Sequence, residues 1–192
     1  MDFLKQEFYN LINGKLVKAA KGDTMNVINP ANNKVVAVVP KCTVEDVNLA
    51  VAAAKRVKNE WKNTYVGERA QLLYKLGALV SEHAEDLVRM ETAQYGGPVS
   101  KTRHFDIPAA VGEFELMAGM GRGITGNTIS GDPAARMMTL REPFGVCGLI
   151  TPWNFPLVTA VSKLAPALIT GNTCVLKPPS CAPLTVLKLG EY

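Results

Sequence analysis

The chain has 192 residues, of which 47% are hydrophobic and 20% charged, so it is long enough and apolar enough to form a sizeable core. Its formal net charge is +4, and its basic residues are scattered along the chain rather than grouped into a run. This distribution argues against nucleic-acid binding and against attachment to a membrane surface. The longest uncharged run, residues 143–162, contains Pro152 and Pro156 near its middle, which argues against a membrane span.

The first elements that the pattern predicts are β-strands. Asn13-Gly14 stands between apolar residues, and this pair is a strong signal for a hairpin because both residues tolerate a positive φ. A second turn is predicted at residues 29–33, after residues 25–28 and before the β-branched run 35–39. We therefore expect the chain to begin with an antiparallel β segment.

Helices follow the β segment. Thr43 with Asp46 three positions later resembles a capping box, and one apolar face of the helix that it starts is predicted from Val47, Ala50, Val51 and Ala54. A longer helical region covers residues 67–95, with a restart near Ser81 and a stop at residues 96–98. Another helix is predicted over residues 107–120, with Met117 and Met120 in the core. Pro108 indicates either the start of this helix or a kink in it.

Residues 121–131 are predicted to be a connector, or an arm projecting from the main body, followed by a short strand candidate at residues 136–141. The apolar runs 146–150 and 173–176 do not alternate, which is typical of parallel strands covered on both faces. Between them, Pro156 suits the first turn of a helix that ends at residues 171–172. Ligands of such a βαβ unit bind beyond the carboxyl ends of its strands, here the loop 151–155 and the corner 177–180.

The cysteines have no metal-ligand spacing, and residues 1–16 lack the pattern of a signal peptide. We therefore predict no metal site and reduced thiols in a cytoplasmic protein. Cys147 and Cys174 lie in the predicted strands, where a small apolar side chain is a better interpretation than a nucleophile.

Two residues at the predicted strand ends are candidates for chemistry. Asn154 can point its amide NH₂ at an oxygen that gains negative charge in a transition state, or it can cap the following helix. Lys177 can hold the hydroxyl or phosphate groups of a nucleotide, or it can be a solvated lysine. The residue pattern leaves both pairs of alternatives open.

Residues 151–156 (TPWNFP), followed at matching spacing by residues 171–178 (GNTCVLKP), resemble the signature of the NAD(P)-dependent aldehyde dehydrogenase superfamily. Further similarity extends through nearly the whole chain, at residues 12–14, 27–31, 47–54, 61, 69, 91–92, 96–98 and 141–146. By this resemblance, the chain corresponds to roughly the amino-terminal two-fifths of a family member. It implies an α/β fold with a Rossmann-type dinucleotide-binding domain of the aldehyde dehydrogenase fold, incomplete at the C-terminus, and a small β arm.

The same resemblance implies three segments and the roles of their residues. Residues 1–126 would be the amino-terminal part of the cofactor-binding domain, residues 127–143 an oligomerisation arm, and residues 144–192 the first βαβ unit. Asn154 would be the side-chain half of an oxyanion hole, and Lys163 would support proton relay to the general base. Residues beside the nicotinamide and its ribose would be Ile150, Thr151, Pro152 and Trp153, and those at the adenosine end Lys177, Pro178, Pro179 and Ser180.

The function that the resemblance implies is oxidation of a small-molecule aldehyde to a carboxylic acid with NAD or NADP, by a homodimer or homotetramer. In the family a cysteine thiolate attacks the aldehyde, hydride passes to the cofactor, and a glutamate activates water. None of the cysteines here aligns with that nucleophile, and we expect it, the glutamate and the glycine motif for the pyrophosphate in a later segment. The alternatives are a non-catalytic remnant or binding module with the same fold, and a family member that reduces an acid derivative.

Cofactor preference is predicted from a departure at Ser180. Many NAD-preferring relatives carry a glutamate three residues after the ribose-binding lysine, and a carboxylate there repels the 2′-phosphate of NADP. A serine removes that repulsion, so we expect NADP to be accepted. The alternative is that Ser180 only caps the helix that begins near Pro183.

Overall fold

A computed structural model describes residues 6–131 and 133–192. Residues 1–5, at the start of the predicted segment 1–126, and residue 132, within the predicted arm 127–143, lie outside the described residues. No helix in the described residues is long and apolar enough to cross a membrane. The strands are β1 (Gln6–Glu7), β2 (Asn10–Ile12), β3 (Lys15–Val17), β4 (Thr24–Asn29), β5 (Lys34–Pro40), β6 (Thr128–Ile129), β7 (Met137–Met138), β8 (Val146–Ile150) and β9 (Thr173–Lys177). The helices are α1 (Val44–Asn63), α2 (Val66–Glu82), α3 (Ala84–Tyr95), α4 (Val99–Lys101), α5 (Ile107–Met120), α6 (Pro156–Ile169) and α7 (Leu184–Leu189), with a π-helical turn at Thr102–Asp106 and a 3₁₀ turn at Gly121–Gly123.

The predicted hairpin near the amino terminus is confirmed. Strands β2 and β3 pair antiparallel, with Ile12 opposite Lys15. Asn13 and Gly14 occupy the turn with φ angles of 55° and 69°, as a type I′ turn requires. Strands β4 and β5 pair antiparallel around the second predicted turn, and β1 joins β5 in parallel, which the sequence pattern did not predict.

The capping box predicted at the start of α1 is present. The Asp46 carboxylate accepts hydrogen bonds from the backbone N–H groups of Thr43 and Ala20, each at 2.7 Å. The bond from Thr43 is the main reason that the pKa of Asp46 lies below its ordinary value. The apolar face predicted for α1 is wrong at Val47, whose side chain is 50% exposed. Asp46 turns inward to these donors instead, and the buried face continues through Ala53.

The helical region predicted over residues 67–95 is two helices, α2 and α3, which meet at His83. Helix α3 ends as predicted, with Gly96 in the left-handed region at φ 77°. Pro108 lies in the first turn of α5. The chain before it is nevertheless helical, because α4 and the π-helical turn lead into α5 and the wider turn accommodates the missing proline N–H.

The main hydrophobic core lies between α2, α5 and α6. On α6, Leu157 and Val161 face this core and are fully buried. Met117 packs against this core. The core position predicted for Met120 is wrong, since its side chain is 57% exposed. The inward positions of this region are Phe114, Ala118 and Gly121, at helical spacing, and Met120 is out of phase with them.

Strands β8 and β9 form the predicted parallel pair, joined through α6. Val146 lies opposite Thr173, and Ile150 opposite Lys177. This βαβ unit agrees with the predicted α/β class. The expectation that both faces of the strands are covered is wrong, because Gly148 and Ile150 are exposed. The helices packed against the pair, α1 and α6, do not cover these positions.

The segment between α5 and β8 forms a small antiparallel ribbon. Strands β6 and β7 pair with Thr128 opposite Met138 and Ile129 opposite Met137. The strand predicted at residues 136–141 is therefore limited to two residues. Every described residue from 122 to 142 is exposed, so this ribbon contributes little to the core.

Candidate functional site

The structure brings the two predicted site segments together at the carboxyl ends of β8 and β9. Thr151, the first residue after β8, donates its backbone N–H to the carbonyl oxygen of Lys177 at 3.3 Å. Its hydroxyl donates to the same oxygen at 3.4 Å. The loop 151–155 and the corner 177–180 are thus neighbours, as expected for ligand-binding loops of a parallel sheet.

The residues around this junction differ in how far they face solvent. Ile150 is 73% exposed and Trp153 58% exposed, and Pro152 and Asn154 are exposed as well. Thr151 is only 5% exposed, because its side chain turns towards the Lys177 carbonyl. The loop therefore presents apolar surface and one free amide, while Thr151 can offer a ligand only its backbone.

Asn154 does not act as a cap of α6. The N-cap position of this helix is Phe155, and no side-chain cap bond is formed there. In residues 6–131 and 133–192 the Asn154 side chain has no hydrogen-bond partner. Both of its amide hydrogens are therefore available to a ligand.

The loop is held on its far side by Phe155. The ammonium of Lys101 lies 3.9 Å from the centroid of the Phe155 ring, and the Phe105 ring contacts it edge-on at a centroid distance of 6.3 Å. Lys101 is itself paired at 2.8 Å with Asp106, a fully buried carboxylate. This cation–π contact fixes the residue that follows Asn154.

At the second segment, Lys177 and Ser180 point towards each other. The Lys177 ammonium lies 3.5 Å from the Ser180 hydroxyl, and both residues are exposed. Pro178 is half-buried and Pro179 buried. An anionic or hydroxyl-bearing ligand can therefore reach one cation and one hydroxyl donor at the same point.

Lys163 lies on α6, outside both the loop 151–155 and the corner 177–180. It is exposed on α6, seven residues after Pro156, which corresponds to about 10 Å along a helix axis. In the described parts of the chain it forms no hydrogen bond or ion pair. The structure thus does not bring Lys163 into contact with Asn154.

All four cysteines are free thiols. Cys147 and Cys174 are opposite each other in β8 and β9 and are half-buried. Burial, with the nearby Cys147, raises the pKa of Cys174 to about 12, which disfavours the thiolate that a nucleophile needs. Among residues 6–131 and 133–192, no group of three or more His, Cys, Asp or Glu side chains is arranged to hold a metal ion.

Sequence reasoning gave no functional role to Glu91. This residue of α3 is fully buried, and its burial raises its pKa from 4.5 to about 7. A signal was present, because Glu91 and Gln94 follow Leu87 at spacings of four and seven residues. They are polar residues on the inward face of a helix, and buried carboxyls of this kind concentrate at functional sites.

A cavity of about 230 Å³ lies elsewhere, between the β2–β3 hairpin and α1. It is shallow, and its lining includes Lys15, Asp46 and Arg56 but none of the predicted site residues. Asp46 is already satisfied by backbone N–H groups. We therefore place the candidate site at the strand ends, where the loop 151–155 meets the corner 177–180.

A parallel βαβ unit with loops that meet beyond the carboxyl ends of its strands is the arrangement at which dinucleotide-binding α/β proteins hold their ligands. The aldehyde dehydrogenase family model matches residues 16–192, so the chain belongs to the aldehyde dehydrogenase family. This confirms the resemblance found in the sequence.

Individual relatives agree with this assignment. Phenylacetaldehyde dehydrogenase of Pseudomonas fluorescens is 39% identical, over 100% of this chain and 40% of that protein. The NAD⁺ complex of an aldehyde dehydrogenase from Bacillus cereus has 40% identity and a TM-score of 0.95, over 98% of this chain and 39% of that one. An NADP-dependent enzyme of Escherichia coli has 36% identity and a TM-score of 0.92, over 98% of this chain and 39% of that one. The chain thus spans about two-fifths of the length of these relatives.

Proposed function

We propose that the polypeptide to which these residues belong oxidises an aldehyde to a carboxylic acid, with a nicotinamide dinucleotide as hydride acceptor. The observation that carries this proposal is Asn154, exposed beyond the end of β8 with no hydrogen-bond partner among the described residues. A preorganised amide is a donor for an oxygen that becomes negatively charged in the reaction. Membership of the aldehyde dehydrogenase family supplies the reaction class.

The role proposed for Asn154 is to stabilise an oxyanion. A thiolate attacks the aldehyde carbon, the electron pair of the C=O bond moves to oxygen, and the Asn154 NH₂ donates a hydrogen bond to that oxygen. Cys174 is unsuited as the nucleophile because its pKa is about 12. We assign the nucleophile, and the glutamate that activates water, to other parts of the polypeptide.

The proposed cofactor is NAD or NADP, which when bound accepts the hydride. We assign its nicotinamide and ribose to Ile150, Thr151, Pro152 and Trp153, and its adenosine end to Lys177, Pro178, Pro179 and Ser180. Exposed apolar side chains together with an exposed ammonium match the mixed chemistry of a dinucleotide. Thr151 would contribute its backbone, since its side chain is buried against the Lys177 carbonyl.

We also propose that NADP is accepted. The Ser180 hydroxyl lies beside the Lys177 ammonium, so a 2′-phosphate at this corner meets a donor and a cation rather than a carboxylate. Of two solved relatives, one is an NAD⁺ complex and the other an NADP-dependent enzyme, which supports testing both cofactors.

Three further roles belong to the proposal. Lys163 would support proton relay to the general base, from the exposed side of α6. The ribbon at residues 127–143 would pair with a second copy in a homodimer or homotetramer, because its exposed strands offer unpaired edges. Four free thiols support a cytoplasmic location.

The test is steady-state formation of NADH or NADPH by the complete polypeptide, with aliphatic and aromatic aldehydes offered in turn. We expect turnover with at least one aldehyde, and none from the 192 residues alone, because the nucleophile is assigned elsewhere. A complete polypeptide that binds the cofactor but turns over no aldehyde would contradict the proposal and favour a binding module. Turnover by the 192 residues above a heat-treated control would contradict the assignment of the nucleophile.

A further inference from the structure

Helix α6 begins without a cap of its own, and its first turn is held by another helix. The backbone N–H of Leu157 donates to one oxygen of the Glu91 carboxylate at 3.1 Å. Both groups are buried, and Glu91 lies 66 residues earlier, in α3. The carboxylate thus accepts one of the N–H groups that the start of α6 leaves free.

The second oxygen of Glu91 belongs to a network that reaches α7. It accepts hydrogen bonds from the Thr185 hydroxyl and from the Gln94 amide, the latter at 2.7 Å. The Gln94 carbonyl oxygen accepts the backbone N–H of Leu184 at 2.6 Å. Glu91 and Gln94 on one face of α3 therefore hold the first turns of both α6 and α7.

The directions of these bonds are fixed by chemistry. The Gln94 amide donates to the Thr185 oxygen at 2.8 Å as well as to Glu91. When Glu91 is ionised, the Thr185 hydroxyl therefore directs its own hydrogen at Glu91. Both oxygens of the carboxylate then face donors only, whereas a glutamine would place its NH₂ against a donor on one side.

The two helix starts that this network holds are those that follow the two halves of the candidate site. Leu157 is three residues beyond Asn154, and Phe155 between them is clamped by Lys101. Leu184 is four residues beyond Ser180, across a tight turn in which Ala182 donates its N–H to Pro179 at 3.3 Å. Short connections of this kind transmit a displacement of either helix start to the site residue beside it.

We propose that Glu91 is a positioning residue for this site: together with Gln94 and Thr185 it fixes the Asn154 loop and the Lys177–Ser180 corner relative to each other. The inference rests on the proposed function, since it assigns Glu91 an effect on turnover that is exerted through Asn154. Glu91 itself does not touch substrate or cofactor.

The test is a double-mutant cycle in the complete polypeptide with Glu91→Gln and Asn154→Ala. We expect Glu91→Gln alone to lower kcat by at least ~10-fold, since a misplaced catalytic group costs up to about 10²-fold. In the Asn154→Ala background the same substitution should cost less than about twofold, because the group that it displaces is already gone. Loss of stability alone would not produce this non-additivity.

Hydrogen exchange of the backbone amides provides a readout that does not depend on activity. Exchange at Leu157 and Leu184 should be faster in Glu91→Gln than in wild type. The matched control is Glu85→Gln, on the same helix but exposed and paired with Arg103, which should change neither exchange at these amides nor kcat. If Glu91→Gln does not fold, Thr185→Ala replaces it, with Thr185→Ser, which keeps the hydroxyl, as the expected rescue.

The possible results separate clearly. An equal loss of kcat in both Asn154 backgrounds, or unchanged exchange at Leu157 and Leu184, would overturn the inference. Wild-type protein without turnover of any aldehyde would contradict the proposed function, and the positioning role would then be decided by hydrogen exchange.

Discussion

The buried Glu91 carboxyl predicts an unusual dependence of stability on pH. Its pKa rises from 4.5 to about 7 in the folded protein, mainly through burial, with the charge of Asp106 adding to the rise. Hydrogen bonds from Thr185, Leu157 and Gln94 oppose the rise without cancelling it. A carboxyl whose pKa is raised on folding binds its proton more tightly in the folded state, so protonation stabilises the fold.

The sign and the size follow from these two pKa values. The contribution is full below about pH 4.5 and is lost as the pH rises to about 7. At 1.36 kcal/mol per pH unit, the interval corresponds to about 3 kcal/mol. For a folding unit of 150–250 residues this is roughly 6–12 °C in thermal midpoint.

The assay compares thermal midpoints of wild type and Glu91→Gln, in the complete polypeptide, between pH 4.5 and 8. We expect the midpoint of wild type minus that of the variant to fall as the pH rises, and to level off above about pH 7. Glu85→Gln is the control. The hydrogen bond from Arg103 lowers the pKa of Glu85, so the midpoint of wild type minus that of Glu85→Gln should not fall as the pH rises. Thr185→Ala removes the main hydrogen bond that opposes the rise in the pKa of Glu91. In a Thr185→Ala background, the midpoint difference between Glu91 and Gln at position 91 should therefore continue to fall to a higher pH.

A difference between wild type and Glu91→Gln that stays constant, or that increases with pH, would refute this reasoning. A constant difference would mean that Glu91 has the same pKa in the folded and unfolded states. An increase would mean that the hydrogen bonds outweigh burial and that the carboxylate is the favoured folded form at all pH values tested.

Three other predictions concern single residues. Asn154→Ala should lower kcat by roughly 10²–10³, with little change in thermal midpoint or cofactor affinity. If Asn154 were only a helix cap, the same substitution would instead cost about 1 kcal/mol of stability and leave kcat nearly unchanged. Ser180→Glu should shift preference towards NAD⁺ by about 1–3 kcal/mol, measured as kcat/KM for both cofactors, and a wild-type preference for NAD⁺ above about a hundredfold would contradict the idea. Arg69→Met should lower the free energy of unfolding, measured by urea titration, by roughly 2–4 kcal/mol, because the buried guanidinium donates to backbone carbonyls at the ends of α1 and α6. A loss below about 0.5 kcal/mol would show that water satisfies these carbonyls in the variant.

Local features were predictable because they depend on near neighbours. The Asn13-Gly14 turn, the Thr43 capping box and the Gly96 helix stop each follow from the conformational range of one or two residues and the hydrogen bonds within reach of them. The parallel βαβ unit, and with it the junction of the loop 151–155 with the corner 177–180, also followed from apolar runs and helix signals. The family signature lies in these same segments.

The phase of amphipathic helices was less predictable. Val47 and Met120 are apolar residues at plausible inward positions, yet both are exposed. Their helices are oriented by other contacts, through Asp46 in one and Gly121 in the other. Apolar periodicity identifies a helix more reliably than it identifies the exact face that tertiary packing selects.

The element types and the family signature were thus predictable, because they follow from local patterns. The way in which the candidate site is held depends on tertiary packing. Glu91 meets Thr185 across 94 residues and Leu157 across 66, and Arg69 meets Ile169 across 100. The tertiary structure also decided between the two interpretations of Asn154 as a cap or a free amide, since Glu91 holds the first turn of α6 from another helix. Buried polar groups must find partners, and which partner is in reach is fixed only when distant helices pack together.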